Sequence, residues 1–263
     1  MSDMAVGRTE RPALAQVLAA AAILATPSMG HAQSRDLQSL WIVQPSSAPM
    51  GDRALASGEF VLKQRLLPTG LAELGSDIAL GGGKAKLVSG TQLIAAGTEG
   101  AKVFCIAEVA KQKLIGASFQ PCLIDSDRDG DFDGWFSAVS QTKGLLTLAG
   151  KYPKKPKPIA ETAYREVAPE TMRDEYFVAI ERRNYFNIYS RESFMIAFGR
   201  EGQVDRLTAP ISFKSTEMPR ELTVMGAKFT AIAEQEGKML VRVSAAMPRQ
   251  PFGVMTSTTY NFY

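Results

Sequence analysis

A chain of 263 residues with 45% hydrophobic and 22% charged side chains can bury one large core or two modest ones, which excludes a disordered polymer. The formal charge of +3 is small but uneven: Asp125 to Asp133 holds five Asp against one Arg, leaving the remainder at about +7. With a single histidine and two cysteines, few residues are available for imidazole or thiol chemistry.

Residues 1–32 have an organisation of their own. Arg8 and Arg11 precede an apolar run from Ala13 to Ala25, and Gly30-His31-Ala32 places small residues around a cleavage point. This is the layout of a secretory signal peptide. The thirteen-residue run would span only about 20 Å as a helix, short of the roughly 30 Å of a bilayer core, so a membrane anchor fits less well. No later run is long enough for a spanning helix. A periplasmic or secreted protein is expected, and its charge balance is unchanged by cleavage because two basic and two acidic residues leave together.

Residues 33–58 form a leader whose one apolar cluster, Leu40-Trp41-Ile42-Val43, would dock a short element. From 59 to 150 the chain turns to short β-branched and aromatic runs bounded by Gly, Pro or charge, the strand signature: Glu59–Leu67, Lys84–Val88, Gln92–Ala96, Lys102–Glu108, Ser118–Ile124 and Trp135–Ser140. Residues 151–160 open with KYPKKPKP, three prolines and four lysines in eight residues, and read as a stiff extended linker. From 161 to 263 strand signals resume at Thr162–Val167, Tyr176–Glu181, Tyr185–Tyr189, Ser193–Phe198, Pro210–Lys214, Glu221–Met225, Lys228–Glu234, Met239–Ala245 and Thr256–Phe262. That stretch is a second β domain or a continuation of the first. One short helix is expected near Pro169–Asp174. The class is all-β, as a β-sandwich or small barrel, in one domain or two subdomains divided near residue 155.

Cys105 and Cys122 both fall in the expected mature chain, where an oxidising compartment makes a disulfide the more common outcome than two unrelated buried thiols. Three residues after Cys122 the chain reads DSDRDGDFD. Asp125, Asp127 and Asp129 alternate, so their carboxylates turn to one side, and Gly130 permits the sharp turn that brings the backbone carbonyl of Asp131 toward the same point. Five Asp in nine residues repel one another unless a cation lies among them.

Over these nine residues the segment resembles the EF-hand and related DxDxDG calcium loops of secreted modules. The resemblance implies a structural calcium ion held by Asp125, Asp127, Asp129, Asp131 and Asp133. It departs from the pattern at position 12, where Phe136 stands in place of a bidentate Glu, and in its strand-like flanks. Asp133 or an outside group such as Glu108 must then complete the shell. Phe132, Trp135 and Phe136 would pack the far side of the loop into the core.

Other chemistry finds little support. His31 is the only histidine, and its expected removal excludes Ser-His-Asp, Cys-His and ordinary zinc sites, while paired cysteines exclude thiol catalysis. The Gly81-Gly82-Gly83-Lys84 run is read as a turn, since Ile78 stands where a phosphate loop needs its first Gly and Ala85 follows the lysine. The basic and aromatic mixture around Arg182-Arg183 and Tyr185-Phe186 is read as strand ends with snorkelling arginines, so no specific nucleic-acid binding is expected. The expectation is a non-enzymatic binding or envelope-associated protein whose partner is an unspecified envelope component. A carboxylate-dependent hydrolase of envelope polymers is the second reading, for which Asp174-Glu175 is an unmarked acidic pair. An outer-membrane barrel is the third, weakened because Asn261, Thr259 and Ser257 do not form an apolar row behind Tyr263.

Overall fold

The computed structural model describes residues 34–46, 50–81, 83, 85–107, 118–140, 142, 144–183, 191–207 and 211–254. Residues 1–32 with His31, Glu108, and the expected strands Tyr185–Tyr189 and Thr256–Phe262 lie outside the described residues.

Alternating short apolar runs become strands throughout. In chain order they are β1 (Trp41–Val43), β2 (Gly51–Leu55), β3 (Phe60–Pro68), β4 (Leu71–Leu74), β5 (Ile78–Leu80), β6 (Ala85–Leu87), β7 (Gln92–Ala95), β8 (Lys102–Ile106), β9 (Ser118–Asp125) and β10 (Asp131–Ser140). There follow β11 (Leu148–Ala149), β12 (Lys157–Val167), β13 (Tyr176–Arg183), β14 (Arg191–Arg200), β15 (Gln203–Arg206), β16 (Ile211–Lys214), β17 (Arg220–Val224), β18 (Ala227–Gln235), β19 (Lys238–Ala245) and β20 (Gln250–Phe252).

Six of these strands close on themselves. The order runs β10-β12-β4-β7-β8-β9, and β9 pairs back onto β10 from Ile124↔Gly134 to Ser118↔Ser140, so these six strands form a closed ring; β11 pairs with Val139 and Ser140, the end of β10 that β12 does not reach. Period-two alternation fills the barrel, because Ala72, Leu74, Leu93, Phe104, Leu123 and Phe132 form one buried cluster. The β5–β6 hairpin adds Ile78, Leu80 and Leu87 to that cluster. Neighbours of opposite parity, Leu71, Ile94, Cys105, Cys122 and Ile124, together with Phe136 beyond the register shift in β10, belong instead to a second and larger core.

That larger core is shared with an open sheet of order β15-β14-β13-β3-β1-β20, with β16 on β14, and with a four-stranded sheet β17-β18-β19-β2. Strand β13 shows how sequence and packing connect. Its Val178 and Ile180 enter the large core while Phe177 and Ala179 enter a small cluster on the other face, so the run is apolar on both sides. Trp41 is fully buried, donates its indole N–H to the Leu146 carbonyl at 3.0 Å and lies 4.7 Å from the Tyr176 ring. Strands from both sides of the Lys/Pro segment share sheets, since β12 pairs with β10 and β4, and β13 with β3.

The all-β class follows the strand signals, six of the strands realise the barrel alternative, and three local expectations are corrected. The helix expected at Pro169–Asp174 is a single 3-10 turn, Pro169–Thr171, because so short a stretch with Pro at its first position cannot propagate. The expected linker does not stay out of the ladder: Lys157 and Pro158 pair with Trp135 and Gly134, where the register shifts and a residue lacking an N–H is tolerated. The leader does more than dock one element, because Gly51–Leu55 pairs along β19 as well. Strands β2, β4, β5, β11, β15 and β20 are not among the expected ones.

Arg182 does not snorkel. Its side chain is 0% exposed, and it donates to the carbonyls of Leu55 (2.7 Å) and Gly237 (2.8 Å) and to the carboxylates of Glu192 (3.2 Å) and Glu234 (3.1 Å). One guanidinium thereby ties β13 and β14 to β2 and to the β18–β19 hairpin. Burial holds the Glu192 carboxyl above its ordinary range, Arg182 pulls it back and Glu234 pushes it up again. A raised carboxyl stabilises the fold most below its unfolded value and loses that contribution as pH rises through the folded value. Glu192→Gln should therefore flatten the decline in urea-unfolding stability as pH rises from about 4.5. An unchanged pH profile would remove Glu192 as its source.

Candidate metal centre

Asp125 ends β9 and Asp131 begins β10, so the acidic loop is the turn of a hairpin within the barrel wall. Two residues take left-handed backbone there, Arg128 at φ 66° and Gly130 at φ 102°, which folds the turn back over its first carboxylate. Asp125 is 0% exposed. Its Oδ1 accepts the Arg128 N–H at 2.6 Å, and its Oδ2 accepts the Gly130 N–H at 3.2 Å and the Tyr164 hydroxyl at 2.7 Å. Further along, the Asp131 N–H donates to Asp129 Oδ1 at 3.0 Å and the Asp129 N–H to Asp127 Oδ1 at 3.4 Å.

The turn brings one carboxylate oxygen each from Asp125, Asp127 and Asp129 within 4.8 Å of one another. Asp127 and Asp129 are exposed, and among the described residues none of the three carboxylates forms an ion pair with Lys or Arg. Three carboxylates thus share one locus with no side-chain cation paired to them among the described residues. The carboxylates of Asp131 and Asp133 stand outside this group. Asp133 instead accepts the Ser126 N–H and hydroxyl, both at 3.0 Å, and closes the turn from the other side. Arg128 is tethered to the Glu99 carbonyl at 2.7 Å.

The packing beneath the loop follows the aromatic residues. Phe132 is fully buried and stacks on Tyr164 with centroids 4.2 Å apart and rings inclined by 16°, Phe136 is buried in the large core, and Trp135 is half-buried. Burial and the Asp125 hydrogen bond hold the Tyr164 hydroxyl well above its ordinary pKa, so it serves Asp125 as a donor. Nothing in the sequence marked Tyr164: it lies 39 residues from Asp125 and meets it through the β10–β12 pairing. The disulfide is formed. Cys105 and Cys122 are opposite one another in the β8–β9 ladder with Cα atoms 4.0 Å apart, and the same ladder ends at Lys102↔Asp125.

The other segments singled out in the sequence resolve differently. Gly81 and Gly83, at φ 59° and 86°, belong to the β5–β6 turn. Asp174 pairs with Arg200 at 3.1 Å, and Arg183 pairs with Glu181 at 2.8 Å. No helix is long and apolar enough to cross a membrane among the described residues. The barrel is filled with apolar side chains, unlike the polar lumen of an outer-membrane barrel. No protein-family model, curated protein or solved structure matches the chain.

Proposed function

We propose that this is an exported protein of the periplasm or extracellular space, braced by a structural calcium ion and a disulfide, with a non-enzymatic binding role at the envelope. The observation that carries the metal reading is the approach of three carboxylate oxygens to within 4.8 Å. Calcium–oxygen distances of about 2.3–2.6 Å put opposite ligands of one shell roughly 5 Å apart, so all three fit a single ion. Asp125, Asp127 and Asp129 would hold it, joined by the Asp131 carbonyl, while Asp133 and Tyr164 brace the loop. The ion supplies positive charge that the side chains do not. Without Glu at position 12 the site is a staple of modest affinity, about 10⁻⁴ to 10⁻³ M as in extracellular modules.

Export is supported by the charged, apolar and small-residue succession in residues 1–32 and by the disulfide, which belongs to an oxidising compartment. At 10 mM calcium, the stated affinity contributes about 1.4–2.7 kcal/mol by mass action. The thermal midpoint should therefore rise by roughly 3–10 °C over a chelator-treated sample. Asp127→Asn should abolish most of that rise, and magnesium should reproduce little of it. Equal midpoints with calcium and chelator would overturn the metal site.

A further inference from the structure

Strand β12 has eleven residues, and its neighbour β4 has only four. Their ladder covers Tyr164–Val167 alone, after which the chain leaves through Gly75 and Ser76 and returns as β5. Among the described residues β5 pairs only with β6, so its outer edge has no strand beside it. Across from it, the edge of β12 that continues the β4 ladder has no partner strand over residues 157–162 among the described residues, while the opposite edge pairs with β10 at Lys157, Pro158, Thr162 and Ala163. Two strand edges therefore border one gap. The gap is a cavity of about 370 Å³, with Ile78, Ala79 and Gly81 on one wall and Trp135, Lys157 and Ile159 on the other.

A cavity of this size is in the range of ligand sites, and unpaired strand edges are templates for another extended chain. Charge selects among extended chains. The Lys157 ammonium stands 4.8 Å from the Trp135 ring centroid, and Lys154 and Lys155 are exposed just before it. Among the described residues none of the three lysines has a carboxylate partner, whereas Asp77, the acidic residue of the groove, is paired with Lys86 at 2.8 Å. We propose that the groove between β5 and β12 binds an acidic peptide segment in extended form, which adds to the β5 edge and places its carboxylates against Lys154, Lys155 and Lys157. This deepens the binding role proposed above by naming a partner chemistry, and it does not depend on the metal.

The test uses the mature protein in saturating calcium and a fluorescein-labelled ten-residue peptide of alternating Glu and Val, read by fluorescence anisotropy. Binding is expected, and Lys157→Glu should weaken it at least tenfold with an unchanged circular dichroism spectrum. A peptide of the same charge with a central proline should lose binding too, because it cannot complete a ladder. No binding, equal binding of the proline peptide, or an unaltered Lys157→Glu affinity would each overturn the proposal. So would an oligogalacturonate of matching charge that competes as well as the peptide, since that indicates an anionic glycan. Repeating the titration in chelator separates this site from the metal: binding that persists without calcium leaves the groove standing even if the metal reading fails. Recovery of intact peptide by mass spectrometry is expected, and cleaved peptide would overturn the non-enzymatic reading while leaving the groove in place.

Discussion

Replacing Arg182 with Ala should lower the unfolding free energy by about 3–5 kcal/mol in urea titrations. The magnitude follows from what is left behind. Glu192 is 2% exposed and would lose its nearest cation, and the carbonyls of Leu55 and Gly237 would lose a charged donor. Arg182→Lys should recover only part of the loss, because a compact ammonium cannot reach acceptors arranged around a planar fork. The exposed Arg242–Asp52 pair is the comparison: its geometry is also good, at 2.6 Å, but both side chains are well solvated. Arg242→Ala should therefore change stability little. Comparable losses in the two variants would show that burial is not what gives the Arg182 cluster its weight.

Removing the disulfide as Cys105→Ala/Cys122→Ala should cost about 3 kcal/mol, from the entropy that a 17-residue cross-link withdraws from the unfolded chain. For a protein of this size that is a fall of roughly 6–12 °C in thermal midpoint. The two cysteines face each other across β8 and β9, so the alanines leave the strand pairing and its register in place. Calcium should still raise the midpoint of the double variant. The loop's closing hydrogen bonds, from Arg128, Gly130 and Tyr164 to Asp125, do not run through the sulfurs. Parent and variant melting together would mean that the cross-link does not limit the unfolded ensemble. A calcium response lost with the disulfide would mean that β9 needs both staples.

How far the fold could be read depended on how much β-branched, aromatic and apolar pattern each element carried. Strands of five or more residues with strong alternation, such as Phe60–Pro68 and Lys238–Ala245, announced themselves because period-two burial repeats several times within them. Leu71–Leu74 and Ile78–Leu80 did not, since one or two alternations are indistinguishable from a loop with apolar residues. The same limit hid the groove, whose walls are a short strand and a segment with three prolines that read as linker. Arg182 was misjudged for a related reason. Local sequence shows an arginine beside a second arginine at a strand end, and its acceptors come from residues as far away as Leu55 and Gly237.

The acidic loop divides in the same way. Asp125, Asp127, Asp129 and Gly130 were determined by the sequence, because a turn of alternating carboxylates needs only its own residues to converge, and the structure brings those three Asp together. The Asp133 carboxylate lies outside the group of three and accepts from Ser126 within the same turn, while tertiary structure alone gave Asp125 its Tyr164 partner. The all-β class was likewise local, written in the spacing of apolar side chains. Closure of six strands into a barrel was not, because which strand edges meet is decided by a single long-range pairing, β9 with β10, that no local pattern encodes.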